Sequence, residues 1–206
     1  MPILEPTSAR HTVEDRGDVL VITVPSRKQW FSTAFLSFWL VGWALGEIVV
    51  GSILLKGLLD LLFGKPDLPG ASGVAISGIG LFLLAWFAVW TMGGVLAIST
   101  FFWQIVGREV IEVRYDSISV RRQMFGLGLA RRQYLAESIR ELRVSLPPYS
   151  RNRQRLTIPW SVDGGWIAFD YGAKTVRFAG EVDEAEAKQI VAEVQRHYPQ
   201  YRGGEV

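Results

Sequence analysis

Two apolar stretches, residues 30–55 and 74–106, dominate the pattern of this chain. On either side of them the pattern changes period. Before the first stretch, Val19-Leu20-Val21-Ile22-Thr23-Val24 is a β-branched run closed by Pro25, which predicts a strand over 18–25. After the second, Ile111, Val113 and Tyr115 alternate with Glu112, Arg114 and Asp116, and Ile118 and Val120 continue past a turn at Asp116-Ser117. Gly126 and Gly128 mark a second turn. Leu142, Val144 and Leu146 alternate again, as do Ile167, Phe169 and Tyr171, and Val176 and Phe178 close a hairpin through Gly172-Ala173-Lys174. Alternation of this kind predicts antiparallel strands with one face buried. Residues 182–198 then turn helical. Asp183-x-x-Glu186 fits a capping box, and Ala187, Val191, Val194 and Tyr198 form one apolar stripe.

The apolar stretches predict a transmembrane hairpin. About 20 helical residues cross a hydrocarbon core roughly 30 Å thick. The spans are placed at about 31–55 and 77–103, with a loop at 64–73 (GKPDLPGASG). Residues 56–63, with Lys56 and Asp60 among leucines, read as an interfacial turn. Residues 74–106 run 33 positions without a charge, which requires tilt or extension into the headgroups. Trp103 is placed at the interface, while Trp86 and Trp90 lie deeper. The expected divisions are a tail and strand (1–29), the hairpin (30–107), a β domain with its helix (108–200) and a frayed tail (201–206). The first strand is expected to pair with the later ones, which makes the hairpin an insertion into one sheet.

Charge sharpens this picture. The chain carries 22 Lys/Arg against 20 Asp/Glu, but residues 108–155 hold 11 Arg and 5 acids, a local net charge of +6. Arg27 and Lys28 precede the first span and Arg108, Arg114, Arg121 and Arg122 follow the second. The positive-inside rule therefore puts both termini in the cytoplasm. Residues 1–29 are polar, with no apolar core and cleavage site before Trp30, so the first stretch reads as an uncleaved span. With no Cys, disulfides and thiolate metal sites are excluded. His11 and His197 flank no metal-ligand pattern, and no cofactor is expected.

The order strand, two spans, several strands, helix resembles that of bacterial membrane-associated proteins with a PH-like domain. The residues carrying the likeness are 108–122, 134–144 (YLAESIRELRV), 165–178 (GWIAFDYGAKTVRF) and 183–187 (DEAEA). The resemblance implies a membrane α+β protein: a small curved PH-like sheet or barrel capped by a C-terminal helix, in the bacterial inner membrane. Proteins of this type often carry Phe-Gly before the acidic helix start. Here the stretch reads Phe178-Ala179-Gly180. Such a fold hosts lipid, peptide and protein binding alike.

Candidate chemistry is correspondingly plain. Arg121, Arg122, Arg131, Arg132, Arg140 and Arg143, with Arg151, Arg153 and Arg155 beyond them, form a basic stretch. It suits either anionic headgroups, at about 1 kcal/mol per basic residue near the surface, or a protein partner. Nucleic acid is not expected, because no aromatic stacking platform accompanies the arginines. Glu47 is the one charge well inside the first span, about 24 Å along the helix from Phe31, and an intramembrane carboxylate is costly. Gly42, Gly46 and Gly51 on the first helix, and Gly93 and Gly94 on the second, permit close helix approach. The Gly126-x-Gly128 and Asp163-Gly164-Gly165 runs read as hairpin turns, since neither opens a helix with phosphate-loop spacing. Asp170 and Lys174 read as a cross-turn ion pair. No catalytic constellation is present, so the chain is read as a non-enzymatic binding or scaffolding protein. The alternative is an accessory subunit docked laterally in a larger membrane complex.

Overall fold

The computed structural model describes residues 10–64, 78–146 and 164–202. Of the loop expected at 64–73 all but Gly64, and the polar segment 147–163 with Arg151, Arg153 and Arg155, lie outside the described residues. In chain order the elements are β1 (Thr12–Asp15), β2 (Val19–Pro25), α1 (Trp30–Phe63), α2 (Gly78–Val106), β3 (Arg108–Arg114), β4 (Ser117–Met124), β5 (Leu127–Leu135), β6 (Ile139–Val144), β7 (Ile167–Tyr171), β8 (Lys174–Phe178) and α3 (Glu184–His197). The fold class is α+β, with two long apolar helices and two small antiparallel sheets. The chain divides into two compact units. One is Gln29–Phe101. The other joins Met1–Lys28 to Phe102–Val206.

The sheet unit is built on period-two alternation. β1 to β5 form one antiparallel sheet in sequence order, and β6 to β8 form the second. β2 pairs with β3 along its whole length, from Val19↔Arg114 to Pro25↔Arg108. The two strands that lead out to the helices and back are therefore nearest neighbours. Leu20, Ile22 and Val24 of β2, Ile111 and Val113 of β3, and Ile118 and Val120 of β4 share the buried face. Ile167, Phe169 and Phe178 of the second sheet and Ala187, Ile190, Val191 and Val194 of α3 complete that core. Alternate side chains of a strand point to opposite faces, which is why every second residue enters it. α3 starts on a complete capping box, with Glu186 N donating to Asp183 Oδ1 at 2.8 Å and Asp183 N to Glu186 Oε2 at 3.2 Å.

Three expectations need correction here. Within the stretch expected to be a tail and one strand, Thr12–Asp15 adds a second, edge strand to β2. Residue 201 does not begin a frayed tail. Tyr201 is buried, and its hydroxyl donates to Arg114 O at 2.8 Å. Asp170 does not pair with Lys174 across the turn. It accepts from both terminal nitrogens of Arg143, at 2.9 and 3.1 Å, and from Thr175, because β6 sits beside β7 and offers a planar fork that a flexible lysine does not.

The helical unit contains two helices long and apolar enough to cross a membrane. α1 is continuous through Phe63 and ends on Gly64 in the left-handed conformation, so residues 56–63 are helix and no separate turn. Within this unit the helices pack antiparallel, because the position meeting Gly94 is Trp43 and the position meeting Gly51 is Phe87. Trp86 stacks on Trp90, and Trp43 Nε1 donates to Trp90 O at 3.3 Å.

Candidate functional site

The most heavily built polar site lies in the sheet unit, where β2 ends and β3 begins. Ser26 N donates to Gly107 O at 3.0 Å, and Ser26 Oγ to Gln104 O at 3.2 Å. Gly107 follows the last turn of α2 so tightly that an added Cβ would stand 2.4 Å from Trp103 O. Only glycine passes there. Trp103 is buried, and its Nε1 donates to Glu181 Oε1 at 3.2 Å. The other oxygen of Glu181 accepts from Arg27 N at 3.0 Å. One carboxylate thus clamps the outgoing and the returning chain.

Beneath this clamp sit two opposite charges. Glu109 of β3 is 0% exposed and Arg122 of β4 is 2% exposed, and they are register partners across the ladder. The Arg122 guanidinium lies 5.0 Å from the centroid of the Trp103 ring. Glu109 Oε1 accepts from Ala179 N at 3.0 Å. Ala179 has φ +59°, a left-handed conformation in which consecutive N–H groups can converge on an anion. Burial pushes the Glu109 pKa up; Arg122 and the Ala179 and Gly180 amides pull it back, and Glu181 adds to the rise. Burying a carboxylate and a guanidinium is expensive unless both are matched. Strand register sets Arg122 opposite Glu109 and the Ala179 amide meets one carboxylate oxygen, while Glu109 Oε2 has no hydrogen-bond partner among the described residues.

A second polar clip joins the N-terminal segment to α3. Arg10 Nη2 donates to Glu186 Oε2 at 2.9 Å and to Glu181 O at 2.8 Å. Burial acts to raise the Glu186 pKa, but the Arg10 side chain and the Arg10 and Asp183 amides more than offset it, and the net shift is downward.

The arginines of the basic stretch do not share one face. In a strand the two members of an Arg-Arg pair point opposite ways. Arg122 enters the buried junction, so it is not a headgroup contact. Arg121 faces the other side and pairs with Glu112. Arg131, directly across from Arg121, is exposed and donates to Ser119 Oγ. Arg132 is exposed on the opposite phase of β5, Arg140 is exposed on β6, and Arg143 is held by Asp170. Trp103, expected at a membrane interface, is instead part of the junction.

The glycines divide in the same way. Gly46, Gly51 and Gly94 lie at the contact between α1 and α2, with Gly94 directly against the Trp43 ring. Gly42 and Gly93 have open space where a Cβ would stand, so they play no part in that contact. Glu47 Oε1 lies 2.6 Å from the Thr91 hydroxyl, and Glu47 Oε2 is enclosed without a hydrogen-bond partner among the described residues.

Glu109, Glu181 and Ser26 were not singled out by sequence reasoning. A signal did exist for the first. Glu109 is in phase with Ile111 and Val113, and Arg122 with Ile118 and Val120. Opposite charges on the apolar phase of adjacent strands point to a buried pair.

No family model, no curated protein and no solved structure matches this chain.

Proposed function

We propose that the chain is a non-catalytic, membrane-anchored binding or scaffolding protein of the bacterial inner membrane, in which a PH-like cytoplasmic domain is held against the leaflet by a transmembrane hairpin. The observation that carries this reading is the pairing Pro25↔Arg108, with the buried junction around it. The residues on the sheet-unit side of both chain crossings belong to the folded domain, where Ser26 N donates to Gly107 O and Trp103 Nε1 to Glu181 Oε1. Four strands, then three strands, then a helix over one opening is the order a PH-like domain has, with β1 as an addition at the edge. Arg27, Lys28 and Arg108 cluster where the chain leaves and re-enters the domain, which suits contact with anionic headgroups.

Native mass spectrometry of the chain released from mixed phosphatidylcholine and phosphatidylglycerol nanodiscs tests this reading. At about 1 kcal/mol per basic residue, R27Q/R108Q/R131Q is expected to weaken phosphatidylglycerol retention by roughly a hundredfold. Unchanged retention would remove the headgroup role.

A second reading, a laterally docked accessory subunit, is favoured by one observation. Gly42 and Gly93 leave helix backbone open at positions that α1 and α2 do not use against each other. Such positions admit another helix. A stoichiometric protein retained after gentle extraction, and lost in G42L, would support it.

A further inference from the structure

The β4–β5 hairpin ends in an apolar tip. Phe125, Leu127 and Leu129 are exposed there, Leu127 by 70%. The two-residue loop Phe125-Gly126 has positive φ at both positions, 54° and 79°. This is the primed turn geometry that favours Asn-Gly. Asn in place of Phe125 would form the turn more easily. What the phenylalanine adds is an exposed aromatic ring, 60% accessible.

Strand register locates this tip. Pro25 pairs with Arg108, Arg108 with Gln123, and Gln123 with Gly128. The tip is therefore at the end of the sheet from which the chain departs to α1 and returns from α2. Phe102, in the last turns of α2, lies with its ring 5.3 Å from that of Phe125. Phe102 and Phe125 thus join the end of an apolar helix to the tip, and Ile105, Leu127 and Leu129, their near neighbours in the chain, are exposed as well. Arg121 and Arg131 face each other, the first four residues back from Phe125 and the second four residues on from Leu127. At 3.3 Å per residue that is about 13 Å. An amphipathic element lying at a membrane surface buries its apolar face about 5–10 Å into the headgroup and acyl boundary.

We propose that the β4–β5 tip is a third membrane contact: Phe125, Leu127 and Leu129 insert among the upper acyl chains of the leaflet, and Arg121 and Arg131 stand at headgroup level. The inference rests on the reading that α1 and α2 span a bilayer. It adds a wedge that sets the tilt of the sheet unit against the surface. The occupant is lipid rather than protein for two reasons. The tip meets a helix end whose own apolar residues need lipid, and a basic pair sits at headgroup distance behind it.

The chain has no Cys, so single substitutions report single places. L127C, Y115C and L45C, each labelled with an environment-sensitive fluorophore, are reconstituted as the full chain in phosphatidylcholine–phosphatidylglycerol vesicles. Tyr115 is 77% exposed at the opposite end of the sheet, and Leu45 is exposed on α1. The labels at 127 and 45 are expected to be quenched several-fold more by a nitroxide carried on the acyl chain than the label at 115, and to resist aqueous iodide. A label at 127 that behaves like the one at 115, while 45 reports lipid, overturns the wedge and leaves the membrane reading intact. Water at both 45 and 127 overturns both. Resistance to iodide at 127 without nitroxide quenching means that protein covers the tip, and the lipid assignment fails.

Discussion

The two units use the same side chains in opposite ways. In the sheet unit Ile22 and Phe169 are wholly buried, whereas in the helical unit Phe38 is 83% exposed. Almost none of either apolar helical window is covered by protein. A core helix of a water-soluble domain hides its apolar surface, because each large side chain left in water forgoes about 1.5–3 kcal/mol. The helical pair hides little, which is the exposure that the proposed membrane hairpin requires. Polar groups differ in parallel. The sheet unit buries a carboxylate and a guanidinium on adjacent strands, with a backbone amide on the carboxylate, while the helical unit holds one carboxylate against one hydroxyl.

The sharpest way to break this comparison is to remove a charge from the junction. Arg122→Ala leaves Glu109 buried without its counter-charge, and losses of about 3–5 kcal/mol follow from such deletions. Arg121→Ala, one residue away on the exposed side, is expected to cost below about 1 kcal/mol. Hydrogen exchange of β3 and β8 amides reads both. Equal effects would show that the two arginines are not divided between inside and outside.

The helical unit offers a neighbouring pair with the same logic. A Cβ at Gly94 would stand 2.0 Å from the Trp43 ring, while one at Gly93 meets nothing. Gly94→Leu is expected to displace Trp43, break its bond to Trp90 O and cost about 1–3 kcal/mol as overpacking. Gly93→Leu leaves the pair intact in an apolar solvent. Thermal unfolding in detergent, followed by tryptophan emission, separates them. If G93L is the more damaging, Gly93 carries a contact outside this pair.

A third test uses proton linkage. Glu109 has its pKa raised, so between the ordinary glutamate value and its folded value the native state holds a proton that the unfolded chain has released. Stability therefore falls as pH rises through that window. Glu186 and Asp170 are shifted the other way, by the Arg10 donors and by Arg143 with Thr175 respectively. Their contribution is present above the ordinary carboxylate range and is lost as pH falls through their lowered values. The sheet unit is expected to be most stable between these limbs. Glu109→Gln should remove the decline on the alkaline side and leave the acid side unchanged. An unaltered alkaline decline would assign it to another group.

Much of this architecture could be read from period alone. The strand before Pro25, the alternation after Arg108 and the Asp183 cap are local signals, and the structure has elements at each. What escaped the reading was three-dimensional. Arg121-Arg122 looks like a patch in sequence because neighbours in a chain look adjacent, yet a strand sends them to opposite faces. Trp103 looks like an interfacial anchor because it ends an apolar run, but it folds under Arg122 and Glu181, which lies 78 positions away. Tyr201 looked like tail because its acceptor, Arg114 O, lies on a distant strand. β1 is short and wholly exposed, so it carries no alternation to detect.

The smallest effect concerns the 178–181 corner. Ala179 is buried at φ +59°, a conformation that costs an L-residue with a Cβ roughly 1 kcal/mol relative to glycine. The corner holds that shape because Glu109 captures the Ala179 amide and because Gly165 lets the backbone of Phe178 approach within a distance no Cβ would permit. Ala179→Gly keeps both contacts and removes the strain. It loses one buried methyl group and gives the unfolded chain more freedom, which partly offsets the gain. A net stabilisation of about 0.5 kcal/mol is expected, seen as a small rise in the unfolding midpoint of the sheet unit with no change in the helical pair. In an Arg122→Ala background the gain should grow, because the weakened junction no longer enforces the left-handed turn. If A179G destabilises in both backgrounds, the methyl group matters more than the strain, and the junction rather than the turn dictates the shape of this corner.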